Sequence, residues 1–213
     1  MKTHAVATAM LALVLVHTAP AILILEDNFD YPAGTTLDAN GWGNNGYSPK
    51  LFVAPGSLEI AGLAPPIGNM CMITNAAYPQ HPNYMSRYVE PPTEGYLYHS
   101  FIMCVTDLSA IRDHGTGFTN FYAMGVNANN SVAGVRTNVL DPSRYDIGIA
   151  YDCPGLYAAW HDNGGTGYEV NTTNFIVLRL LCTNELVSTP PEESYVAWIN
   201  PPASNFSGAD PGN

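Results

Sequence analysis

The sequence ILILEDNFDYPAGTTLDANGW, residues 22–42, predicts how the folded chain begins. A short apolar run is followed by several carboxylates and then by the turn-forming sequence YPAG at residues 31–34. β-Strands are short apolar or alternating runs bounded by turn-forming residues of this kind. We therefore predict that residues 22–28 form the first strand of a β-sandwich.

The segment before this run has the features of an export signal. Lys2 precedes an apolar run over residues 5–16, and the small-residue sequence APA ends at Ala21. A positive start, a short apolar core and small residues at the cleavage position define a signal peptide. The alternative is a membrane anchor, but the run is shorter than the roughly 20 residues that a spanning helix needs. We predict a signal peptide at residues 1–21, and a mature chain of residues 22–213 that is secreted or cell-surface and has no membrane insertion.

Composition favours one large all-β domain. Hydrophobic residues make up 46% of the chain and charged residues only 12%, which argues against disorder. Gly (19), Pro (17) and Tyr (13) are abundant, as in proteins built from short strands joined by many turns. The formal net charge of −11 repels phosphate backbones, so we expect no nucleic-acid partner.

Alternating runs between turn clusters continue along the mature chain, and no segment has a sustained helical period. Residues 175–182 are apolar on both faces apart from Arg179, and residues 96–105 are similar. The runs 174–183 and 96–106 are therefore predicted to be central strands covered on both sides. The runs predict an antiparallel sandwich without a linker or repeat. Besides these two, the predicted strands are residues 57–63, 70–74, 119–126, 132–140, 145–151, 156–160 and 194–199.

The four cysteines, Cys71, Cys104, Cys153 and Cys182, are widely spaced and form no CxxC motif. A zinc site is therefore not expected. Export permits disulfides, and four cysteines allow three pairings. Buried free thiols, which behave as small hydrophobic groups, are an equally good interpretation. Cys153, in a Pro-Gly loop, is the best candidate for a reactive or paired thiol.

The order of motifs resembles one family. ILEDNFDYPAGTTL is followed by GSLEIAGL, LYHSFIMCVTDL, YDIGIAY, FIVLRLLCT and the closing sequence WINP at residues 198–201. This resembles exported bacterial proteins with a concanavalin A-like (LamG-like) jelly-roll domain, over most of residues 22–211. The resemblance implies a two-sheet antiparallel jelly-roll sandwich without a demonstrated activity.

The resemblance also implies a further strand after the WINP segment, which pairs near the first strand. The sequence ends at Asn213 without such a strand, so the chain is interpreted as truncated, lacking its last strand. We then expect the edge of residues 22–28 to be exposed and the chain to be poorly stable.

Catalytic motifs are missing from the sequence. Glycoside hydrolysis needs two carboxyl groups facing each other across the sugar. Glucanases with this fold carry them as E-x-D-x-E on one strand, and this triplet does not occur here. Asp146 and Asp152 are six residues apart along a predicted strand, which is too far for a pair at about 3.4 Å per residue. We expect no enzymatic activity, with a degenerate glycoside hydrolase as the weaker alternative.

Carbohydrate recognition is the function that the residue types favour. Sugar rings pack their C–H faces on Trp and Tyr, while amide and carboxylate groups bond the hydroxyls. The alternatives are that Trp42 and Trp160 are packing residues, and that the sandwich is a structural or adhesive cell-surface module without a sugar site. The expected partner is a polysaccharide or glycoconjugate. The predicted ligand-binding residues, in or beside loops, are Trp42, Tyr47, Tyr122, Trp160, Asp162 and Asn163.

A structural calcium ion is the one cofactor that the sequence raises. Calcium prefers carboxylate and carbonyl oxygens. The candidates are Glu26, Asp27 and Asp30 near the first predicted strand, and the oxygen-rich loop at residues 162–167. This loop matches no EF-hand spacing, and a solvated turn is the alternative.

Overall fold

The structure is a computed structural model of the chain. Within the part that it describes, all regular structure is β-strand except for 3₁₀ turns at Asp38–Asn40 and Ala203–Asn205, which confirms the all-β prediction. In the same residues no helix is long and apolar enough to cross a membrane. The predicted signal peptide lies outside the described residues, which are 23, 25–44, 51–73, 85–86, 95–109, 111, 119–126, 129–151, 158–182 and 195–205.

The strands form antiparallel sheets. In the five-stranded sheet β8 is central: β7 and then β6 lie on one side of it, and β9 and β10 both pair with its other edge. The three-stranded sheet has the order β12-β11-β5, and two small ribbons pair β2 with β3 and β1 with β4. The strand bounds are β1 Gly43–Asn44, β2 Leu51–Ala54, β3 Met70–Ile73, β4 Met85–Ser86, β5 Gly95–Cys104, β6 Thr119–Val126, β7 Asn129–Thr137, β8 Arg144–Tyr151, β9 Ala158–His161, β10 Tyr168–Glu169, β11 Thr173–Cys182 and β12 Tyr195–Ile199.

The two larger sheets share one hydrophobic core, which gives the chain the character of a β-sandwich. Ala133, Val135 and Ile147 from the five-stranded sheet form one buried cluster with Ile176 and Leu178 from the three-stranded sheet. Successive side chains of a strand point to opposite faces, so alternate residues of β7, β8 and β11 meet between the sheets. This burial supplies the main driving force for joining the two layers.

The prediction of central strands is right for β11 and wrong for β5. Phe175, Ile176, Val177 and Leu178 are all buried, so β11 is covered on both faces as expected. In the described part of the chain β5 pairs only with β11, and its first half is largely exposed. The reason is that its outward positions hold tyrosines, whose hydroxyl groups tolerate water.

A buried polar network joins the two layers. Asn174 of β11 is 1% exposed, and its amide nitrogen donates to the hydroxyl of the fully buried Tyr145 of β8 at 2.8 Å. Its amide oxygen accepts from Nδ2 of Asn200, again at 2.8 Å. The Asn200 side chain in turn accepts from the backbone N–H of Phe175. Asn200, the third residue of the WINP segment, therefore closes this network.

The opening block does not form the predicted strand. None of the described residues from 23 to 30 is in a strand, and Leu23 and Leu25 are exposed. The carboxylate of Asp27 accepts the backbone N–H of Phe29 at 2.8 Å and the hydroxyl of Tyr31 at 2.7 Å. These local bonds satisfy the backbone in a turn and so compete with a strand ladder. The predicted exposed strand edge at residues 22–28 is therefore wrong for the described positions.

The predicted strand at residues 57–63 is also wrong. The strand of this region is β2, and the residues that follow it form a loop. Gly56, Gly62 and Gly68 all have positive φ, a conformation that glycine adopts without steric cost and that interrupts a strand. The hydroxyl of Ser57 donates to the backbone oxygen of Gly68 at 2.9 Å and closes the loop at its base.

Three of the four cysteines are free thiols: Cys71, Cys104 and Cys182. Cys153 lies outside the described residues. Cys182 is 3% exposed on β11, as its place on an apolar strand predicts. Burial raises the pKa of Cys71 to about 11, with a further contribution from the Asp27 carboxylate. Because the thiolate is the reactive form, Cys71 is expected to be unreactive at neutral pH.

Candidate functional site

The six residues predicted to bind a ligand do not all meet at one place. Trp160, Asp162 and Asn163 lie together at the end of β9, whereas Trp42 follows the 3₁₀ turn at Asp38–Asn40 and packs beside the β2–β3 ribbon. Tyr47 lies outside the described residues, and Tyr122 is described only by its backbone, which pairs in β6 with Ala133 of β7.

Trp42 is a packing residue, which is the alternative that the sequence raised. Its half-buried ring contacts the buried cluster of Leu37, Leu51 and Val53. It stacks on Phe29 with ring centroids 5.9 Å apart and planes inclined by 22°. The ring therefore closes the small cluster under the opening block.

Trp160 lies on the outer face of the five-stranded sheet. It pairs in register with Gly148 of β8, and Gly148 pairs with Gly134 of β7. A Cβ atom at position 148 would lie 2.5 Å from the Trp160 ring, so the ring occupies space that only glycine leaves open. The guanidinium carbon of Arg136 lies 3.8 Å from the ring centroid, in a cation–π contact. Trp160 is thus held in one orientation between the strand beneath it and the guanidinium group over its ring.

A buried carboxylate positions Arg136. Asp146 of β8 is 1% exposed, and its Oδ2 lies 3.3 Å from Nε of Arg136. Its Oδ1 accepts from Nδ2 of Asn138 at 2.6 Å. Asn138 in turn accepts the backbone N–H groups of Leu140 and Asp141, which shapes the turn between β7 and β8. Sequence reasoning considered Asp146 only as a catalytic carboxylate, because the pairing with Arg136 depends on strand register.

Beside Asp146 the edge of the sheet is interrupted by a looped-out segment. His161 pairs with Ile147 and Tyr168 pairs with Tyr145, so residues 162–167 span the place opposite the single residue Asp146. The backbone oxygen of Asp162 accepts the N–H groups of Gly165 at 3.1 Å and Gly167 at 2.7 Å, which closes the neck of the loop. Residues 163–166 form a turn within the loop that the sequence predicts at residues 162–167.

The loop places polar side chains two and three residues after Trp160, at the end of β9. The side chains of Asp162 and Asn163 are exposed. Asn163 has φ of 50°, and its Nδ2 donates to the backbone oxygen of Gly167 at 3.3 Å. We name Trp160, Arg136, Asp162 and Asn163 the Trp160 corner. It offers an aromatic ring, a cation, a carboxylate and an amide on one edge of the sheet.

The Asp162 carboxylate influences two neighbouring rings. Burial lowers the pKa of His161, and the Asp162 charge partly opposes this. Burial also raises the pKa of Tyr168, to which Asp162 and Asp146 both contribute. At neutral pH we therefore expect a neutral imidazole and a neutral phenol here, both able to donate hydrogen bonds.

The groups proposed for calcium do not gather. In the part of the chain that the structure describes, no three His, Cys, Asp or Glu side chains lie close enough to hold a metal ion. Glu26 and Asp30 are exposed, and Asp27 bonds Phe29 and Tyr31. The backbone oxygens of Asp162 and Asn163 already accept hydrogen bonds within their own loop. The calcium ion stays a prediction without a described set of ligands.

A second group of aromatic residues, which sequence reasoning missed, lies on the outer face of the three-stranded sheet. We name Tyr96, Tyr98, Arg179 and Trp198 the tyrosine face. Tyr98 pairs with Arg179, and Trp198 pairs with the neighbouring outward position Val177. Tyr96 and Tyr98 are alternate residues of β5, so the sequence places both on one face of the strand. The prediction that this strand is covered on both sides hid their exposure.

Acidification is expected to weaken the fold through His99. This residue of β5 pairs with Leu178 of the core, and burial lowers its pKa. In the unfolded chain His99 has the ordinary histidine pKa of about 6.5, so below that pH it is protonated more fully than in the folded chain. Acidification therefore lowers the free energy of unfolding. Urea unfolding at pH 7.5 and pH 5.5 measures this loss. His161 acts in the same direction, because its pKa is also lowered.

The matched test replaces each histidine by glutamine, which does not titrate. His99→Gln is expected to reduce the difference in unfolding free energy between the two pH values, and His99→Gln with His161→Gln to reduce it further. An unchanged difference in the double variant would contradict the assignment.

The chain matches no known protein family, no curated protein and no solved structure. The class of the protein is therefore described from its fold, the Trp160 corner and the tyrosine face. It is an all-β chain of antiparallel sheets with the character of a β-sandwich, and it carries aromatic and polar residues on the outer faces of both larger sheets.

Proposed function

We propose that the chain is an extracellular, non-catalytic module that recognises carbohydrate, built as a concanavalin A-like jelly roll and delivered by the signal peptide at residues 1–21. The observation that carries the proposal is the Trp160 corner. Its aromatic ring is fixed against Gly148 and Arg136, beside the exposed Asp162 and Asn163.

The chemistry of the corner fits a sugar. Trp160 is half-buried, and the C–H groups of a sugar can pack on the part of its indole that Gly148 and Arg136 leave exposed. The exposed carboxylate and amide groups of the corner can bond the sugar hydroxyls. Because Arg136 is held by Asp146, the ring is already in place before a ligand arrives. Preorganisation of this kind reduces the entropy cost of binding.

A non-catalytic role is supported by the state of Asp146. Both of its oxygens are engaged, with Arg136 and with Asn138, and the side chain is 1% exposed. A hydrolytic carboxyl group needs access to the glycosidic bond and a second carboxyl group across the sugar. Asp146 instead positions the residues that hold Trp160.

The second candidate is a structural or adhesive cell-surface module. It is favoured by exposed apolar side chains around the β2–β3 ribbon, namely Ile67, Met72 and Ile73, which are 69%, 45% and 49% exposed. Apolar side chains exposed together mark association surfaces when they form one patch. This candidate predicts self-association of the chain and no response to any glycan.

The test is a glycan array followed by titration calorimetry with the glycan that gives the strongest signal. Trp160→Ala is expected to weaken binding by about tenfold or more, since buried aromatic contacts dominate such interfaces. Asp162→Ala, an exposed substitution that leaves the fold intact, is expected to weaken binding less.

Trp42→Phe is the matched control. It changes an indole that packs against the buried cluster of Leu37, Leu51 and Val53. The variant is therefore expected to leave glycan affinity unchanged while lowering the melting temperature. Equal loss of affinity in the Trp42 and Trp160 variants would show that stability, not the corner, is being measured. No response on any glycan would overturn the proposal.

A further inference from the structure

The tyrosine face is the most open aromatic surface in the described part of the chain. Tyr96 is 52% exposed and Tyr98 is 41% exposed, whereas Trp198 is half-buried beside them. In an antiparallel sheet, residues paired in register point to the same side. Ile176 and Leu178 point into the core, so the alternate residue Arg179, with Tyr98 opposite it, points outward.

Arg179 links the rings of this face. Its guanidinium carbon lies 4.6 Å from the ring centroid of Tyr96 and 5.5 Å from that of Trp198. Both distances are within the range of cation–π attraction. The half-buried arginine thus joins strands β5 and β12 across the central strand β11 and restricts the rings that a ligand would meet.

We propose that the tyrosine face binds a single chain of a neutral polysaccharide, and that it is a binding surface separate from the Trp160 corner. This inference rests on the proposed carbohydrate function and names the ligand class for a second sheet. Tyrosine rings supply apolar faces for the C–H groups of sugars, and their hydroxyl groups donate and accept hydrogen bonds.

The inclination of the rings selects a single chain over a crystalline surface. The centroids of Tyr96 and Tyr98 are 6.4 Å apart and the ring planes are inclined by 60°. A flat polysaccharide surface contacts several aromatic rings at once only when the rings are coplanar. Inclined rings instead contact a chain that turns between successive sugar units.

Charge selects a neutral ligand. The formal net charge of the chain is −11. It repels polyanions such as uronate or sulfated polysaccharides when they come within a Debye length of the surface. Within the tyrosine face the only charged member is Arg179, which already contacts two aromatic rings. A neutral, hydroxyl-rich chain therefore fits this face best.

The test uses affinity electrophoresis of the full chain in gels that contain soluble neutral β-glucan, xylan or mannan, with alginate as the acidic polysaccharide. Crystalline cellulose powder in a pull-down is the flat surface. We expect retardation by at least one neutral polysaccharide, none by alginate, and no binding to the powder. Tyr98→Ala removes an exposed ring, keeps both residues of the cation–π pair of Arg179 and Tyr96, and is expected to weaken binding about tenfold.

Ile67→Ala, which truncates a 69% exposed side chain of the loop that follows β2, is the matched control, and all variants are compared by melting temperature. Tyr96→Ala with Tyr98→Ala is expected to remove most of the retardation, whereas Trp160→Ala is expected to leave most of it. If retardation is unchanged in the tyrosine double variant and lost in Trp160→Ala, the tyrosine face does not bind the polysaccharide. The proposed carbohydrate function would then stand, with the Trp160 corner as its site. Binding only to alginate or to the powder would overturn the ligand class, and binding to nothing would overturn both proposals.

Discussion

Replacing Asp146 by alanine is expected to lower the free energy of unfolding by about 3 kcal/mol, the lower end of the range for breaking a buried ion pair. Asp146 is 1% exposed, and its removal leaves Arg136 and the amide of Asn138 without their shared partner. Arg136 retains some solvent, with 16% of its side chain exposed, which places the loss at that lower end. Urea unfolding at pH 7 measures the change.

Two variants make the result specific to the pair. Asp162→Ala removes an exposed carboxylate of the neighbouring loop and is expected to change the unfolding free energy by no more than about 0.5 kcal/mol. Asp146→Ala combined with Arg136→Met removes both charges and is expected to recover part of the loss, because the uncompensated cation is gone. A loss below 1 kcal/mol for Asp146→Ala alone would contradict the buried pair.

Replacing Asn174 by alanine is expected to lower the free energy of unfolding by about 2 kcal/mol, because the buried hydroxyl of Tyr145 loses a hydrogen-bond partner, at a cost of roughly 1–3 kcal/mol. The Tyr145 hydroxyl lies 2.8 Å from the Asn174 side chain. The amide nitrogen of Asn200 also lies 2.8 Å from it, but Asn200 is exposed, so water can replace that bond. Thermal and urea unfolding of the variant measure the loss.

Tyr145→Phe is the matched comparison for Asn174. It removes one member of the network and leaves the bond between Asn174 and Asn200 in place, so a loss of about 1 kcal/mol is expected. Equal losses in the two variants would show that the network does not join the layers as the distances indicate.

Strand formation in the core was predictable because it depends on local pattern. The sequence of β11 is apolar at nearly every position, and its residues are buried on both faces, as predicted. The alternation over residues 145–151 likewise predicted β8, which spans Arg144–Tyr151. Periodic burial and turn chemistry are properties of neighbouring residues, and they need no knowledge of partners.

The prediction of a strand at residues 22–28 was wrong for the described residues, because local hydrogen bonds competed with the apolar pattern. Leu23 and Leu25 belong to an apolar run that resembles a strand, but both are exposed, and Asp27 bonds the backbone of Phe29 instead. The hydrogen bonds of Asp27 with Phe29 and Tyr31 set the conformation of this segment. A prediction based on the pattern of apolar residues does not include such bonds.

The sequence by itself determined the all-β class, the strands of the core, the turn after Trp160 and the place of Asp162 and Asn163 beside it. Only the tertiary structure decided that Trp42 packs elsewhere, that Asp146 holds Arg136 against Trp160, and that Tyr96 and Tyr98 face solvent. The physical reason is that these contacts depend on the register of paired strands and on which sheet face is covered. Residues far apart in the chain set both.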